Sequence, residues 1–412
     1  MELANSFKLL IFVEANAING VAKSTFSFYD TVMSLQKRGE VGAIAISIAT
    51  FDRPTANGAC SIRTFLEAAR GKGIPVHVIP ERYRFDGKVL KFVSEVVRQV
   101  SPDIVQTNAV KSHFLMRATG AQNHTHWIAF HHGYTTTDFK VKCYNQLDRW
   151  SLRAAKRVVT VCDAFGRQLI GSGVAPERLR VIHNSGSVMR DVSAEELQNL
   201  RHRLAIEKDT RMLLTVGRFS REKGHADLIR AATWLLRMRP GLKCKFVLVG
   251  FGSERESLER LIDRLGLGSK ILLACEEPDT APFYRIADAF VLPSHMEGSP
   301  HVVFEAVSAC LPVVATHVGG IPELLQDGKT ALLVPPRDPR AIASSIVRLL
   351  DSKEEATKLA ENATCVFRER FYPGVSGRAL LNVYFEVLRK ASSKSVAGPT
   401  SSNRKRPFEP LR

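Results

Sequence analysis

Two glutamates eight residues apart frame a loop whose residue types could bind a sugar and a phosphate. Glu297 follows a strand predicted at Ala289–Leu292, and Glu305 lies inside the helix that this loop opens. A carboxylate at the mouth of a helix can accept hydrogen bonds from sugar hydroxyls, while the unpaired N–H groups near residues 299–303 would face phosphate. The neighbours of Glu305 are apolar, so a position on the solvated surface is poorly supported.

Two basic residues near the start of the second half could neutralise a diphosphate. Arg218 follows a strand predicted at 212–216, and Lys223 stands just before a helix predicted at 225–239. A guanidinium and an ammonium group at a strand end, ahead of a helix N-terminus, suit a phosphate ligand. A solvated basic loop explains these two residues equally well, so they do not decide between the alternatives by themselves.

Glycines after predicted strands would let the backbone approach a ligand closely. Gly20 opens the first predicted helix, a weak signal for which a simple tight turn is the favoured interpretation. Gly250 and Gly252 follow a strand predicted at 245–249, but Arg255 stands where a dinucleotide-binding fingerprint has its third glycine. The pattern therefore disfavours a Rossmann-type dehydrogenase.

Four histidines within residues 123–134 raise the alternative of a zinc site; they are His124, His126, His131 and His132. A strand predicted at 127–130 would send the adjacent His131 and His132 to opposite sides. No cysteine or carboxylate lies close enough in sequence to complete an obvious tetrahedral set, and the sequence has no Asp-x-Asp pair. We therefore expect neither a metal site nor a cofactor.

The elements that must position these residues alternate along both halves of the chain. Short apolar runs separated by helical stretches indicate parallel sheets covered on both faces. The alternation restarts near residue 212, which predicts two doubly wound, Rossmann-like α/β domains at 1–190 and 191–374, joined near 184–210 and facing a cleft. A helix at 375–391 is expected to pack back on the first domain. The basic tail at 392–412 is expected to be disordered.

Composition narrows the possible functions. Of 412 residues, 45% are hydrophobic and 24% are charged, and no apolar run approaches the roughly 20 residues of a membrane-spanning helix. Seven scattered cysteines without a Cys-x-x-Cys pair fit a reducing cytoplasm. The net charge of +17 is spread over the whole chain, which suits an anionic small substrate or an anionic membrane surface better than DNA.

Taken together, these motifs resemble those of the retaining GT-B glycosyltransferases of family 4. The two glutamates, the Gly-Arg…Glu-Lys-Gly and Gly-x-Gly segments and the stretch at 312–335 are similar to that family, densely over residues 217–350. The resemblance implies that Arg218 and Lys223 hold the donor diphosphate, that Glu305 binds the ribose hydroxyls and that Glu297 lies beside the donor sugar. It implies further donor contacts by Gly20, Gly250, Gly252, Gly298, Ser299, Pro300 and Val302.

The same resemblance places a histidine next to the transferred sugar and the acceptor on the first domain. His132 fits this catalytic role by its pairing with Gly133, and His131 fits it by directly following the apolar strand. His132 is slightly favoured. Glu297 completes the predicted catalytic set.

The sequence thus predicts a metal-independent hexosyltransferase that moves a sugar, with retention, from a nucleotide-sugar to a saccharide or lipid-linked acceptor, as in polysaccharide or glycolipid synthesis. A nucleotide-sugar 2-epimerase on the same fold is the second possibility. A nucleic-acid-binding protein ranks last, because the aromatic-interleaved basic motif of single-strand binders is missing. We expect a cytoplasmic enzyme without nucleic-acid partners, whose first domain makes peripheral contact with an anionic membrane.

Overall fold

Two parallel sheets, one in each half of the chain, organise the structure. The computed structural model describes residues 6–14, 20–53, 62–83, 86–134, 139–186, 189–274 and 279–396. The predicted basic tail, from residue 397 onward, lies outside the described residues.

The first domain contains a seven-stranded sheet in the order β3-β2-β1-β4-β5-β6-β7. Its strands are β1 (Phe7–Phe12), β2 (Ile44–Asp52), β3 (Val76–Pro80), β4 (Ile104–Thr107), β5 (His126–His131), β6 (Arg157–Thr160) and β7 (Leu179–Val181). Its helices are α1 (Gly20–Lys37), α2 (Ile62–Gly71), α3 (Lys88–Val100), α4 (Val110–Ala118), α5 (Phe139–Leu152) and α6 (Asp163–Gly171). Adjacent residues of the central strand, such as Leu9 and Leu10, are both buried, because helices cover the two faces of the sheet.

The second domain repeats this plan with a six-stranded parallel sheet in the order β10-β9-β8-β11-β12-β13. Its strands are β8 (Arg211–Val216), β9 (Cys244–Val249), β10 (Ile271–Ala274), β11 (Ala289–Leu292), β12 (Val313–Thr316) and β13 (Leu332–Val334). Its helices are α7 (Ala194–Arg203), α8 (His225–Met238), α9 (Arg255–Arg264), α10 (Ala281–Ile286), α11 (His301–Ser308), α12 (Ile321–Leu324), α13 (Pro339–Asp351) and α14 (Lys353–Arg370). The predicted α/β class with two doubly wound domains is confirmed.

The strand order fixes where a ligand can enter each domain. The chain reverses its winding direction between β1 and β4 in the first sheet and between β8 and β11 in the second. In open α/β sheets, the crevice outside the carboxyl ends of the strands at such a switch point is the usual binding place. The loops that carry Gly20, Arg218 and Glu297 all leave strands at these points.

The last helix, α15 (Val375–Val396), packs on the first domain. Tyr384 is fully buried there, with its ring centroid 6.2 Å from that of Phe7 and 5.7 Å from that of Phe28. Glu386 accepts hydrogen bonds from Arg157 and Arg180 at the edge of the first sheet. The helix continues to Val396, so the predicted limit at 391 is too early.

Two other boundaries differ from the sequence prediction. The joining segment at 184–210 contains α7, which begins after Ser193. The Ser193 hydroxyl accepts a hydrogen bond from the backbone N–H of Glu196, and the Glu196 carboxylate accepts one from the backbone N–H of Ser193. This Ser-x-x-Glu capping box was readable from the sequence. The sequence also predicts one helix over 144–156, but α5 ends at Leu152, and β6 begins at Arg157, a buried charge neutralised by Glu386. None of the helices in the described ranges combines the length and hydropathy that a bilayer-spanning segment needs.

Candidate active site between the two domains

Glu297 lies in the loop after β11 and is paired within the second domain. Its side chain is 6% exposed, and Oε1 accepts hydrogen bonds from Lys223 Nζ at 2.7 Å and from Ser294 Oγ at 2.6 Å. Lys223 closes the turn that precedes α8, so the ion pair joins the loops that follow β8 and β11. Lys223 therefore has a carboxylate partner of its own, next to the place where the sequence predicts a diphosphate.

Arg218 stands on the same loop as Lys223, but its side chain is exposed. The guanidinium is 64% exposed and lies 3.2 Å from Glu222 Oε1. The Arg218 carbonyl faces His225 Nε2 at 3.0 Å, and His225 is almost fully buried. Burial lowers the pKa of His225 to about 4, so the ring is neutral near pH 7 and donates Nε2–H to this carbonyl. A buried histidine thus fixes the backbone of the loop and leaves the Arg218 side chain accessible to an anion.

Gly250 and Gly252 keep the loops after β8 and β9 in direct backbone contact. A Cβ atom on Gly250 would lie 2.0 Å from the carbonyl oxygen of Gly217, and one on Gly252 would lie 2.3 Å from that of Phe219. Both distances are far below van der Waals contact. The glycine requirement at these two positions therefore arises from loop packing that shapes the carboxyl edge of the second sheet.

Glu305 connects the second domain to the first. It lies in the second turn of α11 and is 9% exposed. Its Oε1 accepts a hydrogen bond from Lys23 Nζ at 2.7 Å, and its Oε2 accepts one from the Tyr284 hydroxyl at 2.9 Å. Lys23 belongs to α1 and Tyr284 to α10, so a single carboxylate holds a helix from each domain.

The loop after Glu297 packs against the first domain and against the joining segment. A Cβ atom on Gly298 would lie 2.7 Å from Phe165 Cε2 and 2.8 Å from Val161 Cγ2, so this glycine permits the close approach of the two domains. Ser299 is buried; its Oγ accepts the Asn184 N–H at 3.1 Å, and its carbonyl accepts Asn184 Nδ2–H at 2.7 Å.

The start of α11 also faces α1. Pro300 precedes the helix in an extended conformation, and Val302 is half-buried in its first turn. The His301 ring lies 3.3 Å from where a Cβ atom of Gly20 would be, and His301 Nε2 lies 2.9 Å from Ser24 Oγ. Burial lowers the pKa of His301 to about 4, so this contact is made by a neutral ring. The structure thus places Gly20 against His301.

The two adjacent histidines at the end of β5 turn to opposite sides. His132 stacks on Phe130, with ring centroids 5.4 Å apart, whereas His131 Nδ1 lies 3.4 Å from Asp148 Oδ2. Burial lowers the pKa of both rings, that of His132 to about 3, so both are neutral near pH 7. Each Nε2 is buried and has no hydrogen-bonding partner among the described residues.

A second carboxylate contact spans the domain interface. Glu323 of α12 accepts hydrogen bonds from the backbone N–H groups of Asp163 at 2.9 Å and Ala164 at 3.2 Å. These two residues begin α6 in the first domain, and a negative charge at a helix N-terminus is stabilising. With the Lys23–Glu305 ion pair, this cap holds the two edges of the cleft together.

The zinc alternative finds no geometric support. Within the described ranges, no three His, Cys, Asp or Glu side chains converge as metal ligands would. Of the four clustered histidines, His126 lies against Lys156, with 3.1 Å between Nδ1 and Nζ, and His131 and His132 face different surroundings.

The fold consists of two Rossmann-like domains, and the candidate site residues gather in the cleft between them. Residues 34–185 match the family described as glycosyl transferase 4-like domain, and residues 197–365 match glycosyl transferases group 1. Each half of the chain thus contains a region that matches a glycosyltransferase family, with the histidine pair in the first region and both glutamates in the second. The crystal structure of HepE from Anabaena in complex with UDP and glucose has the same GT-B fold, with a TM-score of 0.76 and 20% identity over 92% of this chain and 99% of HepE.

Curated relatives with related sequences carry glycosyltransferase names. The α-D-kanosaminyltransferase of Streptomyces kanamyceticus is 30% identical over 58% of this chain and 63% of its own length. The D-inositol 3-phosphate glycosyltransferase of Acidothermus cellulolyticus is 33% identical over 59% of this chain and 57% of its own length. The chain thus spans about three fifths of the length of the curated relatives that it matches.

Sequence reasoning did not find the partners of the predicted site residues. Lys23, Tyr284 and Glu323 contact the site from elements distant in sequence, and no local motif marks them. Asp148 and His113 were also missed, although Asp148 lies only two residues before Trp150 in the sequence. Its neighbours on the buried face of α5 include the polar residues Asn145 and Ser151, so no apolar pattern marked Asp148.

Proposed function

We propose that this chain is a retaining, metal-independent glycosyltransferase with a nucleotide-sugar donor. One observation carries the proposal: Glu297 and Glu305 stand on either side of the N-terminus of α11, at the domain interface, each accepting a hydrogen bond from a lysine at 2.7 Å. Two carboxylates, their lysines and a helix N-terminus in one cleft suit a ligand that carries hydroxyls and phosphates together.

The donor then lies mainly on the second domain. Its diphosphate meets Lys223, the exposed Arg218 and the first N–H groups of α11, its ribose hydroxyls meet Glu305, and its sugar lies between Glu297 and the histidine pair. UDP and glucose in HepE, whose fold is the same, support a nucleotide-sugar ligand. The names of the relatives support a saccharide or a similar polyol as acceptor, and a lipid-linked saccharide belongs to this class.

In the proposed reaction, the bond between the anomeric carbon and the phosphate oxygen breaks while the acceptor oxygen bonds to the same face of that carbon. The nucleoside diphosphate leaves with the bonding electrons, and its phosphate oxygen takes the acceptor proton. Negative charge develops on the diphosphate, where Lys223 and Arg218 stabilise it. Glu297 lies on the sugar side of Lys223 and favours positive charge on the sugar ring.

A screen of nucleotide-sugars by thermal shift, followed by mass spectrometry of the products with a panel of saccharide acceptors, tests the proposal. We expect one nucleotide-sugar to stabilise the protein, transfer that persists in EDTA, and an anomeric configuration in the product equal to that of the donor. Free nucleotide released from the donor without any acceptor, together with an epimerised sugar, would indicate the 2-epimerase instead. An inverted anomeric configuration would contradict retention.

We extend the proposal to the first domain as a peripheral membrane face. Trp150 is 44% exposed near the end of α5, and the Arg117 guanidinium lies 3.6 Å from its ring centroid. Arg157 is not part of this face, because it is buried against Glu386. We expect co-sedimentation with vesicles of anionic lipid that weakens steeply with salt, and little with neutral vesicles. Trp150→Ala should weaken the binding; no sedimentation with either vesicle at low salt would favour a water-soluble acceptor.

A further inference from the structure

Three buried side chains behind the cleft form a continuous set of contacts that ends at His131. Asp148 Oδ1 lies 2.6 Å from His113 Nδ1, and Asp148 Oδ2 lies 3.4 Å from His131 Nδ1. The three side chains are at most 3% exposed. They come from α4, α5 and β5, so the folded domain brings them together.

The charges of this set follow from its hydrogen bonds. Both ring nitrogens of His113 face oxygen acceptors, because Nε2 lies 3.3 Å from the Thr107 carbonyl oxygen. The shorter of the two contacts, 2.6 Å from Nδ1 to Asp148 Oδ1, is the one that ties His113 to the carboxylate. Burial alone would raise the pKa of Asp148, but His113 and His131 outweigh it and hold the pKa below its usual value. Asp148 is therefore an ionised carboxylate that accepts a hydrogen bond from His113.

The carboxylate determines which nitrogen of His131 carries the proton. An ionised carboxylate only accepts hydrogen bonds, so Nδ1 of His131 must donate to Asp148. Burial lowers the pKa of His131, and the neutral ring has a single proton. Its Nε2 is consequently a hydrogen-bond acceptor, and this buried atom has no partner among the described residues.

His131 is one side chain away from the loop that carries Glu297. The His131 ring centroid lies 6.1 Å from that of Phe165, and Phe165 in turn packs against Gly298. His132 also has a buried Nε2 without a partner, but its ring stacks on Phe130, and within the described ranges no carboxylate forms an ion pair with it. The contact with Asp148 is therefore what sets His131 apart from His132.

We propose that Asp148, anchored by His113, is a positioning residue that holds His131 with Nε2 as an acceptor for one hydroxyl of the transferred sugar. This inference rests on the proposed glycosyltransferase function and adds a specificity element to it. A neutral His131 discriminates against a nucleotide-sugar that lacks the matching hydroxyl, because its buried Nε2 then has no hydrogen-bond donor.

The tautomer can be measured without any substrate. In ¹⁵N-histidine-labelled protein, the long-range ¹H–¹⁵N spectrum distinguishes Nδ1–H from Nε2–H rings, and His131→Gln identifies the His131 signals. We expect the Nδ1–H form in the wild-type protein and its loss in Asp148→Asn, whose amide can donate to Nδ1. The matched control is Asp351→Asn, which removes an exposed carboxylate paired with Arg239. An Nε2–H ring or an imidazolium in the wild-type protein would overturn the inference, even if Asp148→Asn does not fold.

The contact with the sugar is tested with UDP-glucose, a ligand of HepE, and analogues that each lack one sugar hydroxyl. In the wild-type protein, one analogue should react about tenfold more slowly than UDP-glucose, the loss expected for one hydrogen bond. In Asp148→Asn the same analogue should react no more slowly than UDP-glucose, an interaction that a merely structural role would not produce. If every analogue keeps its wild-type ratio in the variant, the sugar contact is wrong. If no nucleotide-sugar reacts at all, the proposed function fails, while the spectrum still decides whether Asp148 fixes the tautomer.

Discussion

The ion pair between Lys223 and Glu297 allows the structural part of the site to be separated from its anion-binding part. Lys223→Met removes the ammonium and leaves Glu297, which is 6% exposed, with Ser294 as its remaining recorded donor. Breaking one side of a fully buried pair costs about 3–5 kcal/mol. Because the Lys223 side chain is 20% exposed and water can partly replace it, we expect a smaller loss, about 2–3 kcal/mol of unfolding free energy.

The companion variants define a double-mutant cycle. Glu297→Gln keeps the shape and the Ser294 contact but removes the charge, so it should cost about 1–2 kcal/mol. The double variant should cost about as much as Lys223→Met alone, which gives a coupling energy of about 1–2 kcal/mol. Arg218→Met is the matched control, because this guanidinium is 64% exposed and its loss should change stability by less than about 0.5 kcal/mol.

Urea unfolding and UDP titration provide the two readouts. Trp234 is the single tryptophan of the second domain, so its fluorescence reports that domain in a Trp127→Phe/Trp150→Phe background. In calorimetric titration, Lys223→Met and Arg218→Met should each weaken UDP binding by roughly tenfold to a hundredfold, as for one charge-assisted hydrogen bond. Glu297→Gln should bind UDP at least as tightly as the wild-type protein. A coupling energy near zero would refute the ion pair, and unchanged UDP affinity in both cation variants would refute the diphosphate assignment.

Three further predictions follow from the contacts around this pair. Lys23→Met should tighten UDP binding by up to about fivefold, because the ribose then no longer competes with the Lys23–Glu305 ion pair, worth up to about 1 kcal/mol. Weaker UDP binding in calorimetry would instead indicate that Lys23 itself contacts the nucleotide. The folded pKa of His225 is about 4 against 6.5 when unfolded, so below pH 6.5 the unfolded chain binds the extra proton and stability falls until pH 4. The loss, on the order of 3 kcal/mol, should shrink in His225→Gln when urea unfolding is repeated across this range. Glu323→Ala removes the cap of α6, worth about 1 kcal/mol, and with it a contact between the two domains. The radius of gyration measured by X-ray scattering without ligand should therefore rise; an unchanged radius would show that this cap does not keep the two domains together.

The order of sheets and helices was readable from the sequence because apolar periodicity and glycine turns are local signals. The segment at 289–308 is an example, since a strand, a Gly-Ser-Pro turn and an apolar helix follow each other within it. The capping box before α7 was equally local and was overlooked. The burial of Arg157 was not readable in this way, because it depends on Glu386, more than two hundred residues away.

The partners of the site residues could not be predicted, because each depends on long-range packing. Glu305 is an example: its apolar neighbours indicate a buried helix face, yet the cation that neutralises it comes from α1, at a sequence separation of 282 residues. The same holds for Asp148, whose role depends on a neighbouring helix and a neighbouring strand. Local pattern therefore identifies which side chains are chemically suited to a site, while tertiary structure decides their charge state and geometry.

The different partners of the two glutamates connect ligand binding to the relative position of the domains. Glu297 is neutralised inside the second domain, so its charge is balanced whether the cleft is open or closed. Glu305 is neutralised by Lys23 of the first domain, so opening the cleft would remove this cation and leave the Tyr284 hydroxyl as a donor to the carboxylate. A ribose that binds Glu305 can take over the donor role of Lys23. Binding of the nucleotide-sugar would then replace the Lys23–Glu305 ion pair as the contact that satisfies Glu305. Occupancy of the nucleotide-sugar site would in this way be coupled to release of α1 and to access of the acceptor to the cleft.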